Sequence, residues 1–209
     1  GSLRVKTPDD QAGEYVFKSP LDLKDAEAAL QFLFNYLNNT KGVKVYDSYR
    51  TSIHVHVNFT HETLRTVMNF ITLAIIFDEL LVSQNGETRI GNNFCLRSRD
   101  AEGQIASLAK SVNQYGSIYN VAANDRYSAT NFSSLMKFGT VEFRSLECTT
   151  DLKRVMHWIK TLQALKESAR NYENPRQIIE RFSRHGPLGF MMAHLGNQYM
   201  KYALVPEAH

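Results

Sequence analysis

The sequence predicts an α+β fold, and three observations carry that prediction. Two short runs, residues 52–59 and 140–146, alternate apolar and polar side chains with the period of a strand half covered by a core. Three longer runs, residues 26–37, 64–75 and 152–169, place apolar residues at steps of three and four, the spacing of an amphipathic helix. Hairpin-like and helical stretches follow one another in mixed order, which fits segregated strands and helices better than a doubly wound α/β sheet.

Taken in order, residues 14–18 (EYVFK) are strand-like and are stopped by Ser19-Pro20, since proline ends ladder pairing. Ala26, Leu30, Leu33 and Leu37 then mark a helix, with Asp22 or Asp25 as its N-cap and Gly42 as its stop. Residues 43–47 and 52–59 read as two strands joined by a turn at Tyr49-Arg50, an expected hairpin. Thr60 is the expected cap of a helix bearing Leu64, Val67, Met68, Ile71 and Ile75. Apolar residues surround that helix after Phe70, so it should be buried. Residues 83–93 are loop-like, with an Asn85-Gly86 turn signal, and residues 104–115 are weakly helical. Residues 126–134 read as a strand, and Gly139 opens a second strand over 140–146. Thr149-Thr150 begins the strongest helix, with Leu152, Val155, Met156, Ile159, Leu162, Leu165 and Ala169 on one face. Asn174-Pro175 starts another helix, and residues 187–204 a last one.

At 209 residues the chain is long enough for one sizeable core. Residues 1–13 read as a scar (Gly1-Ser2) plus an irregular segment, and residues 14–209 as a single domain. Hydrophobic residues at 43%, charged residues at 22% and five prolines describe a globular chain and not a disordered one. The 24 basic and 21 acidic residues are dispersed, so the net charge of +3 does not indicate nucleic acid as a partner. The most apolar run, Phe70 to Phe77, ends at Asp78-Glu79 and is far too short to span a bilayer, so no membrane partner is expected. Cys95 and Cys148 match neither zinc nor redox spacing, and a reducing cytoplasm is the expected setting. Without an initiator methionine or signal peptide, the chain reads as an excised piece whose N-terminal part is missing.

Two strands carry the residues suited to chemistry. Period-two geometry sends Ile53, Val55, Val57 and Phe59 to one face of the first, and Ser52, His54, His56 and Asn58 to the other. Two imidazoles at i and i+2 can hold one metal ion or one phosphate, or pass a proton; equally they can be the solvated side of a half-exposed strand. On the second strand Val141 and Phe143 point one way, Glu142 and Arg144 the other. A carboxylate is a hard ligand for Mg²⁺ and a guanidinium grips phosphate oxygens in pairs; the plainer alternative is a surface ion pair worth less than about 1 kcal/mol. Together the strands could form one concave polar surface on a single sheet.

The segment RYSATNFSSLMKFGTVEFRSLECTTDLKRVMHWIKTLQAL, Arg126 to Leu165, resembles the amidoligase family of carboxylate-amine ligases with a glutamine-synthetase-like fold. The likeness lies in Arg126-Tyr127, Asn131, the run Gly139-Thr140-Val141-Glu142-Phe143-Arg144 and the threonine-led helix after it. FKSPL, SIHVHVN and RIGNNFC resemble further family elements in the same order, and the likeness spans roughly residues 14–170, with C-terminal helices over 171–204. The resemblance implies a curved, mostly antiparallel sheet with helices on one face. It also implies ATP and Mg²⁺ as cofactors, and a carboxylate and an amine (small molecule, peptide or protein) as substrates. The implied reaction activates the carboxylate as an acyl phosphate, and the amine then forms the amide. By the same resemblance Glu142 would bind Mg²⁺, Arg144 phosphate, and His54 and His56 would line the metal and nucleotide site as further candidate metal ligands. Arg126 and Asn131 would reach nucleotide or substrate, with Arg89 a phosphate or carboxylate ligand.

Two features depart from the family pattern. The expected first strand with acidic metal ligands has no counterpart in residues 1–13, and Val16 stands where an inward glutamate is usual, leaving Glu14 as a candidate ligand of the same parity. Two other classes therefore stay open: a metal-dependent hydrolase using the His54/His56 strand, and a non-catalytic module derived from the ligase fold.

Overall fold

The computed structural model describes residues 2–5, 13–98, 102–116 and 127–196. The chain divides into two compact units, residues 1–43 and 44–209. In the first, strands β1 (Ser2–Val5) and β2 (Gly13–Val16) pair antiparallel, with Leu3 opposite Tyr15 and Arg4 opposite Glu14. The segment predicted to be irregular thus contains a strand, because Leu3 and Val5 give it the alternation that β2 can pair with. Helix α1 (Leu23–Asn39) follows, and of the two candidate caps Asp22 is used: its carboxylate accepts the Asp25 N–H at 2.8 Å.

The second unit is built on a three-stranded antiparallel sheet in the order β3 (Ser52–Asn58), β5 (Thr140–Glu147), β4 (Thr130–Asn131). Residues 43–47 form no strand, so the predicted hairpin gives way to a long-range pairing of β3 with β5. Asp47 instead accepts the Cys148 N–H at 3.0 Å and the Thr88 hydroxyl. Of the strand predicted over 126–134, only Thr130–Asn131 is strand; Ser134–Phe138 turns into the short helix α5. Gly139 closes α5 at φ 64°, and a Cβ there would stand 2.5 Å from the Thr60 methyl, so the entry to β5 needs glycine.

Helix α2 (Leu64–Ile76) and helix α6 (Leu152–Arg170) cover the apolar side of this sheet. Phe143 meets Phe70 of α2 edge-on at 5.9 Å and Trp158 of α6 at 6.0 Å. The caps are one to three residues from those expected: Thr63 accepts the Thr66 N–H, and Asp151 accepts the Lys153 and Arg154 N–H groups. Both displacements arise because a cap must place its oxygen over the N2 or N3 amide, a geometry that spacing alone does not resolve. Asn69, fully buried, donates to the carbonyls of Ala169 and Tyr172 and so pins α2 to the end of α6.

Short helix α3 (Asp78–Ser83) and a 3-10 turn at Glu87–Arg89 lead from α2 toward helix α4 (Glu102–Tyr115), the weakly helical stretch. Helix α7 (Pro175–Leu195), capped by Asn174 and kinked at Gly186, packs on α2 and α6. It absorbs the first part of the last predicted helix; residues 197–204 lie outside the described residues. No helix among the described residues is long and apolar enough to cross a membrane.

Candidate functional site on the open face of the sheet

Glu142 sits on the central strand, and sheet register brings its neighbours to it. Its Cα partner on β3 is His56 and on β4 is Asn131. Between Ile53 and Val55 the β3–β5 register shifts, so one residue of β3, His54, faces two of β5, Arg144 and Ser145. This bulge lets Phe143 and Leu146, three residues apart, both turn into the core while Glu142 and Arg144 remain on the open face. Strict alternation would have sent Leu146 outward.

The Glu142 side chain is 10% exposed, and both of its oxygens have partners. Its Oε1 stands 3.0 Å from His54 Nδ1, 3.2 Å from Arg144 Nη1 and 3.7 Å from His56 Nε2. Its Oε2 accepts from the Asn131 amide at 2.8 Å and lies 3.5 Å from the Ser134 hydroxyl. Burial alone would raise this carboxyl, but the His54 hydrogen bond, the Arg144 charge and the Asn131 hydrogen bond outweigh it and hold the value at about 2. The carboxylate is therefore ionised at any physiological pH. His56 moves below the ordinary histidine range: burial lowers it, Glu142 opposes, and His54 and Arg144 add to the lowering.

Each member of the cluster is held by something behind it. Ser52 Oγ lies 2.8 Å from His54 Nε2, and Thr140 Oγ1 lies 2.9 Å from His56 Nδ1. Asn131 Oδ1 accepts from the backbone N–H and the hydroxyl of Ser133, which aims its amide nitrogen at Glu142. Arg144 lies over the Tyr127 ring at 6.0 Å, and Phe138 meets His56 edge-on at 6.1 Å as an exposed aromatic at the rim.

His54, His56, Glu142 and Arg144 are thus brought together as the two alternating strands implied, and Asn131 joins them from β4. Arg89 is placed differently. It is 1% exposed, and its guanidinium donates to the Thr51 carbonyl at 3.0 Å and the Arg144 carbonyl at 3.4 Å, bridging β3 and β5 from within. A group so enclosed serves the backbone and has no open path to a phosphate. Glu14 lies on β2 in the first unit, opposite Arg4, and Arg126 lies outside the described residues. Ser134, Thr140 and Ser52 are contributors that residue type did not single out. Ser52 and Thr140 share strand parity with His54 and Glu142, a usable signal, whereas nothing in the sequence marks Ser134.

Among the described residues no group of three or more His, Cys, Asp or Glu side chains could hold a metal ion. Mg²⁺ typically keeps several waters and is bound through one or two carboxylates plus substrate phosphates. One ionised carboxylate beside a guanidinium fits an ion that arrives with a nucleotide, and does not fit an ion caged by protein alone. Cys148 is half-buried, and burial pushes its thiol up, which disfavours a nucleophilic role. A cavity of about 490 Å³ lined by Gln84, Asn85, Asp151, Lys153, Arg154, His157 and Trp158 shares no residue with the Glu142 cluster.

The family model described as "Putative amidoligase enzyme" matches residues 16–166. The chain belongs to this amidoligase family. The matched span of the amidoligase holds every described member of the Glu142 cluster, from Ser52 to Arg144. It also contains helix α2 and all but the last turn of helix α6, which back the sheet. No curated protein and no solved structure matches the chain. The family assignment supports an enzyme of the ligase kind.

Proposed function

We propose that this amidoligase is ATP- and Mg²⁺-dependent, converting a carboxylate to an acyl phosphate and joining it to an amine, with an amide or isopeptide bond, ADP and phosphate as products. The observation that carries the proposal is Glu142, a single ionised carboxylate on the central strand with Arg144 and two histidines around one of its oxygens. When bound, Mg²⁺ would neutralise phosphate charge, and phosphoryl transfer depends mainly on such electrostatics and on positioning. Glu142 would hold the ion through the oxygen now shared with Arg144. Arg144, braced by Tyr127, would turn its guanidinium from Glu142 to the nucleotide phosphates. His54 and His56 would line the same face, and Asn131 would keep Glu142 aimed while its other contacts change. The substrate amine and carboxylate would meet on the open side of the sheet. A cytoplasmic setting belongs to the proposal, and the two free thiols accord with it.

The alternative of a zinc-dependent hydrolase asks for about three protein ligands at one ion. The described residues supply no such group. The decisive experiment titrates the chain with ATP in the presence and absence of Mg²⁺ and follows ADP release with carboxylate and hydroxylamine, which traps an acyl phosphate as a hydroxamate. Mg²⁺-dependent binding and hydroxamate formation are expected. Absence of nucleotide binding refutes the proposal.

A further inference from the structure

Two residues on the wall of the cavity of about 490 Å³ carry buried donors with nothing to donate to. Gln84 Nε2 and Trp158 Nε1 have no hydrogen-bond partner among the described residues, and the two residues are 9% and 2% exposed. A buried N–H left unpaired is costly, and it calls for a partner that the chain itself does not supply. An indole N–H and a carboxamide nitrogen only donate, so what this wall lacks is an acceptor. Other polar groups of the wall are engaged. Arg154 forms an ion pair with Glu147, and Asp151 accepts the Lys153 and Arg154 N–H groups at the start of α6. Lys153 is exposed and forms no ion pair among the described residues.

We propose that this cavity binds a small organic carboxylate, with Gln84 Nε2 and Trp158 Nε1 donating to its oxygens and Lys153 supplying the counter-charge. An ionised carboxylate is all acceptor, and its two oxygens can each take one N–H. Arg154 is balanced by Glu147, and the charge of Asp151 is met by two amides at the positive end of α6, so one ammonium is left for the ligand. That suits a single negative charge better than the nearly double charge of a phosphate monoester. The volume is that of a small-molecule site. Both nitrogens are screened from solvent, so the ligand reaches them as the Gln84 amide turns; that side chain, at the C-cap of α3, is held by no hydrogen bond to another described residue. The site is distinct from the one that would activate a carboxylate. Trp158 meets Phe143 edge-on on the covered side of β5, whereas Glu142, the preceding residue, faces the open side. The proposal therefore does not rest on the nucleotide reading.

Trp158 is the only tryptophan of the chain, so its indole Nε1–H gives a single resonance in ¹H–¹⁵N spectra and reports directly on the cavity wall. The whole chain is titrated to high millimolar concentration with sodium acetate, succinate, hexanoate and benzoate, against sodium chloride at equal ionic strength. At least one carboxylate should move the resonance downfield and to saturation, and chloride should not move it. Gln84→Met keeps the length of the side chain and removes the donor; it should weaken binding about tenfold or more, the scale of a hydrogen bond to a charged group. Lys153→Met should weaken it about two- to fivefold, as for an exposed ion pair. Glu142→Gln, on the other side of the sheet, should leave the titration unchanged. A resonance that ignores all four carboxylates overturns the proposal. So does a response that Gln84→Met does not weaken, which puts the carboxylate away from this wall, or one that Glu142→Gln abolishes, which puts it on the open face. Should Gln84→Met not fold, binding that is indifferent to Lys153→Met overturns the proposal in its place.

Discussion

Replacing Glu142 with glutamine removes one charge and almost no volume, so its effect can be worked from the surroundings of the carboxylate. A carboxyl whose ordinary value of 4.5 is lowered to about 2 contributes roughly 3 kcal/mol of folding stability at neutral pH. The folded value lies below the unfolded one, so this contribution is complete above 4.5 and is lost as pH falls through 2. Glutamine retains one acceptor oxygen for Asn131 or Arg144, which makes roughly 3 kcal/mol an upper figure. A domain of ordinary stability, about 5–15 kcal/mol, survives that loss. Urea unfolding of both proteins at neutral pH should therefore show Glu142→Gln less stable by about 2–3 kcal/mol, with the gap falling to less than half near pH 3. The same variant should lose the Mg²⁺ dependence of ATP binding. A gap that stays constant between neutral pH and pH 3 would refute the electrostatic account of this site, because a purely steric cost does not titrate.

Asp78 offers the opposite sign. Burial raises its carboxyl from 3.8 to about 6, against a hydrogen bond from the Ser98 N–H, and its Oδ1 has no hydrogen-bond partner among the described residues. The penalty is absent below 3.8, grows as pH rises and is complete above about 6, so Asp78→Asn should gain about 1–3 kcal/mol over wild type at neutral pH and nothing near pH 4; a gain of equal size at both ends would show that charge is not its source. At Gly86, φ is 114° and an added Cβ would fall 1.9 Å from Glu147 Oε2. Gly86→Ala should cost about 2–3 kcal/mol in thermal or urea unfolding, and a cost under about 0.5 kcal/mol would show that this turn relaxes freely.

The polar face of each functional strand was legible because alternation is a local property. His54 and His56 cannot avoid sharing a side of β3, nor Glu142 and Arg144 a side of β5. The helices behind the sheet were legible for a similar reason, since the steps of α2 and α6 mark their buried stripes whatever they pack on. The partner of β3 was not. Local reasoning favoured the adjacent residues 43–47, yet β5, more than eighty residues on, supplies the apolar side chains that close the core with Phe70 and Trp158. Arg89 reads as an anion ligand by residue type and becomes a buried clamp on two strands only once both carbonyls it serves are in place.

The sequence by itself determined which side chains share a face, because φ and ψ fix a two-residue period along any strand. Only the tertiary structure decided that the histidines meet Glu142 through opposite ring nitrogens, since that depends on the β3–β5 register, the bulge at Arg144 and Ser145, and the hydroxyls of Ser52 and Thr140 behind the rings. Those are distances between strands far apart in the chain, and no local period encodes them.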